Sequence, residues 1–157
     1  MAPGLAMLAA SPVAEAMRGS AWLYPIVEIV HIVGFAVLGG SVAMFDLRVL
    51  GFARAVPVLE AGRMLLPWSI TSMLVIVPAG LLLFSAHPLE LAANTVFRLK
   101  LLLIALAGLN ALSVHVGIYR SAAAWPGAAP GLAKIHAGAS LALWIAVISC
   151  GRLLAYT

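Results

Sequence analysis

The sequence predicts an all-α integral membrane protein, a four-helix up-down-up-down bundle preceded by a short helix lying on the membrane surface. Three observations carry that expectation. The 157 residues are 64% hydrophobic and 9% charged, with a mean hydropathy of +1.14, whereas an ordinary soluble domain has about 45–50% apolar and about 25% charged residues. Four apolar stretches reach the length of about 20 residues that the hydrocarbon core demands. The connections between them are short, which forces neighbouring helices antiparallel.

Residues 1–20 carry Leu5, Met7, Leu8, Val13 and Met17 but neither the basic start nor the long apolar run of a secretory signal, so they read as an interfacial helix. The first span covers 21–45, interrupted by Pro25, Glu28 and His31 and closed by Asp46. Residues 47–63, with Arg48, Arg54, Pro57, Glu60 and Arg63, read as a polar-spotted connection. The second span covers 64–86. Pro67 falls in its first turn, where a missing N–H costs little, and Pro78 near its middle, where a kink is expected. His87-Pro88 closes it, and 89–97 form a short loop. The third span covers 98–119, with Lys100 placed to snorkel back to the headgroups. Residues 121–130 are Ala, Gly and Pro around Trp125, a turn at the interface, where aromatic rings are favoured. The fourth span covers 131–154, with Arg152 and Tyr156 at its far end. The domain division is thus 1–20 interfacial and 21–157 transmembrane.

This topology puts both termini on one side, face A, from which the first span enters. Face B collects Arg48, Arg54, Arg63, Arg120 and Lys134, and face A collects Arg18, Arg98, Lys100 and Arg152. The positive-inside rule therefore places B in the cytoplasm and the termini outside it, by a margin of one residue. The net charge of +4 is spread along the chain, and no basic block marks a nucleic-acid partner. The lipid bilayer is the expected partner, with a second copy of the chain or a redox protein of the membrane or periplasm as further candidates. Cys150 sits alone in an apolar stretch and reads as a small buried hydrophobe.

Chemistry is expected where ionisable groups enter the spans. Glu28 and His31 are three apart and project from one side of the first helix, with Gly34 a further turn along. An unpaired charge at such depth costs about 2.5–3.5 kcal/mol on insertion scales, which makes the pair a candidate site. Glu-x-x-His also serves di-iron bundles, but those need a second such motif and two more inward carboxylates. The other acids, Glu15, Asp46, Glu60 and Glu90, fall at helix ends or in loops. Haem b needs less: two axial histidines on facing helices, a slot, and polar groups for its propionates. His115 and His136 match in depth near face B, with Arg120 and Lys134 close by. His31 lies about 15 Å from the depth of His115, counting about ten residues at 1.5 Å each. Each histidine has a second reading, as a hydrogen-bonded residue that fixes helix register. His87, beside a proline at face A, reads as an interfacial hydrogen-bonding group.

Asn110, in the middle of the third span, needs partners in hydrocarbon. Glu28 and His31 stand at the expected depth, so the three form a candidate polar cluster. Asp46 and Arg48 are two apart and cannot face each other on a helix; Asp46 is expected to clasp Arg120 or Lys134 across face B. Gly34, Gly39 and Gly40 in the first span, and Gly108 with Ala105 and Ala111 in the third, offer small surfaces for a packed helix or a flat ligand.

Several motifs together resemble a family of small bacterial four-span membrane proteins of unknown function. They are Ser20-x-Trp22-Leu23-Tyr24-Pro25-x-x-Glu28-x-x-His31-x-x-Gly34, Asp46-Leu47-Arg48-x-Leu50-Gly51, Phe97-Arg98-x-Lys100 with Asn110 and His115, Ser140-Leu141-x-Leu143-Trp144, and Gly151-Arg152-x-x-Ala155-Tyr156. The resemblance covers nearly the whole chain. It implies a bacterial inner membrane and a four-helix fold, and it supplies no reaction. In that family the position of His136 is usually apolar, whereas His31 and His115 match, so the resemblance pairs His31 with His115 where depth pairs His115 with His136.

Three functions follow as expectations. The first is a b-type cytochrome-like protein that passes electrons through haem held by His31, His115 or His136. The second is a proton or small-solute transport component using Glu28, His31 and Asn110. The third is a structural or assembly subunit of a larger membrane complex, its polar residues serving register. No nucleophile stands with a base at matching depth, so hydrolysis and group transfer are not expected.

Overall fold

The computed structural model describes residues 3–117, 119, 120, 122, 125 and 128–156. The chain is all-α over these residues. Two short helices, α1 (Pro3–Ala9) and α2 (Pro12–Gly19), precede α3 (Leu23–Leu50) and α4 (Val58–Ala86). Then follow α5 (Pro88–Ala93), α6 (Thr95–Val116) and α7 (Gly131–Leu153). Helices α3, α4, α6 and α7 are each long and apolar enough to cross a membrane, and they pack together as a multi-pass bundle. The turn expected over 121–130 is described only at 122, 125 and 128–130.

The helix ends differ from the sequence expectation at face B. Helix α3 does not stop at Asp46; it runs on to Leu50 and ends where Gly51 takes φ 110°, the left-handed cap that glycine adopts without steric cost. Helix α4 starts at Val58, directly after Pro57, so the connection shrinks to residues 51–57. Pro67 consequently lies inside α4 with Pro78 rather than in a first turn. The N-terminal segment is two helices, not one. Ser11 caps the second, its hydroxyl accepting from the Ala14 N–H at 3.2 Å ahead of Pro12.

Antiparallel pairings fix the order of the helices. Helix α3 meets α4 most closely, where a Cβ on Gly34 would come within 2.7 Å of Ile76 Cγ1; glycine is what lets the two backbones approach. On its other side α3 meets α7, with Phe35 edge-on to Trp144 at 6.2 Å. Helix α7 in turn packs on α6. No Cα of α4 lies within 8 Å of a Cα of α6, so the four spans run in the spatial order α4, α3, α7, α6. Aromatic side chains bridge the open side at both ends: Phe84 stacks on Phe97 at 5.5 Å near face A, and the Tyr119 hydroxyl donates to the Leu59 carbonyl at 3.4 Å near face B.

The buried apolar residues include Leu38, Ile76, Ala79, Ala107 and Val147, and a packed cluster near face B is built on Phe45, Val49, Val58, Ala61, Ala133 and Ala137. At face A, Ala14 and Met17 are buried, which docks α2 against the end of α4. Arg18 ties that corner together, donating to the Ala86 carbonyl at 2.9 Å and to the Ala9 carbonyl at 2.7 Å.

Candidate functional site

The residues that the sequence marks for chemistry fall into two groups at opposite ends of the bundle. Near face A, His31 Nδ1 lies 3.0 Å from the Ile76 carbonyl of α4. Gly80 makes room for its ring, since a Cβ there would sit 3.0 Å from His31 Cε1. His31 also meets Phe35 edge-on at 5.1 Å. Lys100 does not turn out to the headgroups. Its Nζ lies 5.5 Å from the centre of the Phe35 ring and 3.6 Å from where a Cβ of Gly151 would be. That is the last turn of α7, whose unpaired carbonyls favour a cation. Glu28 is exposed and makes no ion pair among the described residues.

Near face B, Asn110 and His136 join α6 to α7. The Asn110 amide donates to the His136 carbonyl at 3.1 Å, and His136 Nδ1 lies 2.7 Å from Asn110 Oδ1, so the imidazole donates there. One turn along α7, Ser140 stands beside Asp46 of α3. Asp46 is 5% exposed, and its Oδ2 has no hydrogen-bond partner. Arg48, equally buried, donates from Nε to the Val56 carbonyl and so braces the 51–57 connection. His115 is exposed and stacks on Tyr119 at 5.8 Å. Burial pushes the Tyr119 phenol up from its ordinary value, against the nearby Arg63 charge.

Three expectations are corrected by these placements. Asn110 is not grouped with Glu28 and His31; its partner is His136, because the antiparallel register of α6 and α7 brings those two together. Asp46 clasps neither Arg120 nor Lys134, neither of which forms an ion pair among the described residues; burial inside α3 points it at Ser140 instead. The third correction concerns His31 and His115. His31 packs on Gly80 of α4, whereas Tyr119, the ring on which His115 stacks, packs on Gly62 of the same helix. Eighteen residues of α-helix separate those glycines, about 27 Å at 1.5 Å per residue. That is far beyond the reach of two axial ligands on one iron.

His115 and His136 stand differently on their helices. His115 lies five residues from Asn110 on α6, a rotation of about 140° away from the direction that faces α7. His136 has turned Nδ1 to Asn110. Among the described residues, no three of His, Cys, Asp and Glu gather as ligands for a metal ion. Of the small residues, Gly40 and Gly108 face open space, since a Cβ there would meet nothing within 4 Å, whereas Gly34 lines an apolar groove of about 330 Å³ between α3 and α4.

What the sequence missed is the role of Ser140 and of two backbone carbonyls, those of Ile76 and His136, as partners for the candidate side chains. Ser140 is readable as a polar residue one turn from His136, but a carbonyl acceptor leaves no mark in a sequence. The comparisons add no relative: no family model, curated protein or solved structure matches the chain.

Proposed function

We propose that this chain is a structural or assembly subunit of a bacterial inner-membrane complex, acting by lateral association rather than by chemistry at a centre of its own. The observation that carries this reading is that three polar side chains inside the spans tie one helix to the next. His31 reaches the Ile76 carbonyl across α3 and α4, Asp46 reaches Ser140 across α3 and α7, and Asn110 reaches His136 across α6 and α7. Such bonds act as glue between membrane helices.

Two further features support it. The buried side chains are mostly apolar, and the buried Ser69 and Ser72 of α4 donate to carbonyls of their own helix, which favours a packed bundle over a polar path. The backbone of helix α6 comes close to no long helix but α7, and its outer residues Leu102, Leu109 and Leu112 are 55%, 63% and 58% exposed. The test is the mass of the particle extracted with its surrounding lipid from native membranes by a styrene–maleic acid polymer. The reading requires protein mass beyond one 16.3 kDa chain; a particle of one chain and lipid refutes it.

A further inference from the structure

Where the surface helices meet the first two spans, a cleft of about 350 Å³ opens at face A, at the small end of the range of about 300–1,000 Å³ typical of ligand sites. Met17 and Pro25 give it apolar walls. Arg18, Ser20, Tyr24 and His87 bring hydrogen-bonding groups to it from α2, the α2–α3 junction, α3 and the end of α4. Arg18, Ser20 and Tyr24 offer donors, and His87 offers a ring nitrogen. The Ser20 oxygen already accepts from the Trp22 and Leu23 N–H groups at 3.4 and 3.2 Å, which leaves its O–H to donate. His87 has Nδ1 3.6 Å from Glu90 Oε2, which leaves Nε2, and its ring stands edge-on to Tyr24 at 6.5 Å. Arg18 is anchored by its bonds to the Ala86 and Ala9 carbonyls and keeps three of its five N–H groups. Two carboxylates border the cleft. Glu90 is engaged with His87, and Glu28 lies one turn along α3 from Tyr24.

We propose that this cleft holds the phosphate of a membrane phospholipid, with its acyl chains running down the outside of α3. Convergent donors around a fixed guanidinium suit an anion with several acceptor oxygens, and basic pockets at the ends of membrane helices take lipid headgroups in this way. The depth agrees, since Trp22, next to the cleft and 75% exposed, stands where aromatic rings mark the headgroup level. Pro25, exposed at the cleft's edge, continues it toward the outer face of α3.

Native mass spectrometry of the full chain in detergent tests this with three probes: phosphatidylglycerol, a diacylglycerol with the same acyl chains, and inorganic phosphate. Phosphatidylglycerol should stay bound in the presence of excess inorganic phosphate. Retention should fall about tenfold for diacylglycerol, and about tenfold for phosphatidylglycerol on a Tyr24→Phe/His87→Gln variant, the size of one lost charge-assisted hydrogen bond. An Arg98→Gln variant, altered on another helix, should retain it unchanged. Equal retention of diacylglycerol, or undiminished retention by the double variant, overturns the proposal; displacement by inorganic phosphate overturns the lipid as the source. Helix content by circular dichroism accompanies each variant, and Tyr24→Phe alone carries the test if the double variant loses it.

Discussion

Replacing Asn110 by alanine removes two bonds at once, the one its amide donates to the His136 carbonyl at 3.1 Å and the one it accepts from His136 Nδ1 at 2.7 Å. Polar ties between membrane helices are worth about 0.6 kcal/mol on average and at most about 1.7 kcal/mol each. The backbone of α6 comes close to no long helix but α7, so compensating packing near Asn110 is limited, and Asn110→Ala should cost about 1–3 kcal/mol. Replacing His136 by alanine removes one bond, because its carbonyl stays, and should cost less. A double-mutant cycle on the two positions isolates the side-chain bond, with an expected coupling of about 0.6–1.7 kcal/mol. Reversible unfolding of the chain in mixed detergent and dodecyl sulfate micelles, followed by tryptophan fluorescence, measures all three quantities. Zero coupling, or equal costs for the two single variants, would refute the assignment of these residues to one tie.

Two further substitutions probe the same end of the bundle. A Cβ at Gly62 would come within 2.8 Å of Tyr119 Cζ, so Gly62→Ala should displace that ring and cost about 1–3 kcal/mol, in the range of overpacking; an unfolding midpoint equal to that of the parent chain would contradict this. Asp46 has no cation partner among the described residues and an unpartnered Oδ2. Asp46→Asn should therefore leave stability unchanged or raise it by up to about 1 kcal/mol, since it removes a group that is costly to bury in ionised form, and a loss of the size expected for a broken buried ion pair would restore the clasp with Arg120 or Lys134.

The existence of the four spans was legible because hydropathy over about 20 residues is a strong signal, but their ends at face B were not. An aspartate and an arginine closing an apolar run ordinarily mark the water, and here both are buried: Asp46 against Ser140, Arg48 against the Val56 carbonyl. The better signals were Gly51 and Pro57, the left-handed cap and the helix-starting proline. That displacement of the helix ends also spoiled the depth count, which put His31 about 15 Å from His115 when α4 measures about 27 Å between their neighbours.

The partner of Asn110 was missed for a different reason. Asn110 lies nearer the face B end of α6 than the expected middle of the span, and the register of two antiparallel helices is a property of the pair, written in neither helix alone. His31 and His136 each hydrogen-bond to a neighbouring helix. Glu28 keeps its predicted place on one side of α3 with His31 yet finds no partner within the described residues, leaving it free to face lipid headgroups or another protein.

The most direct test of the central claim is a photo-crosslinking amino acid at Leu109, on the outer face of α6, irradiated in native membranes. Lateral association through that face predicts a discrete protein adduct, either a second copy or one defined partner, that is absent when the crosslinker stands at Glu60, in the first turn of α4 near face B. Adducts to lipid alone from Leu109 would contradict the account.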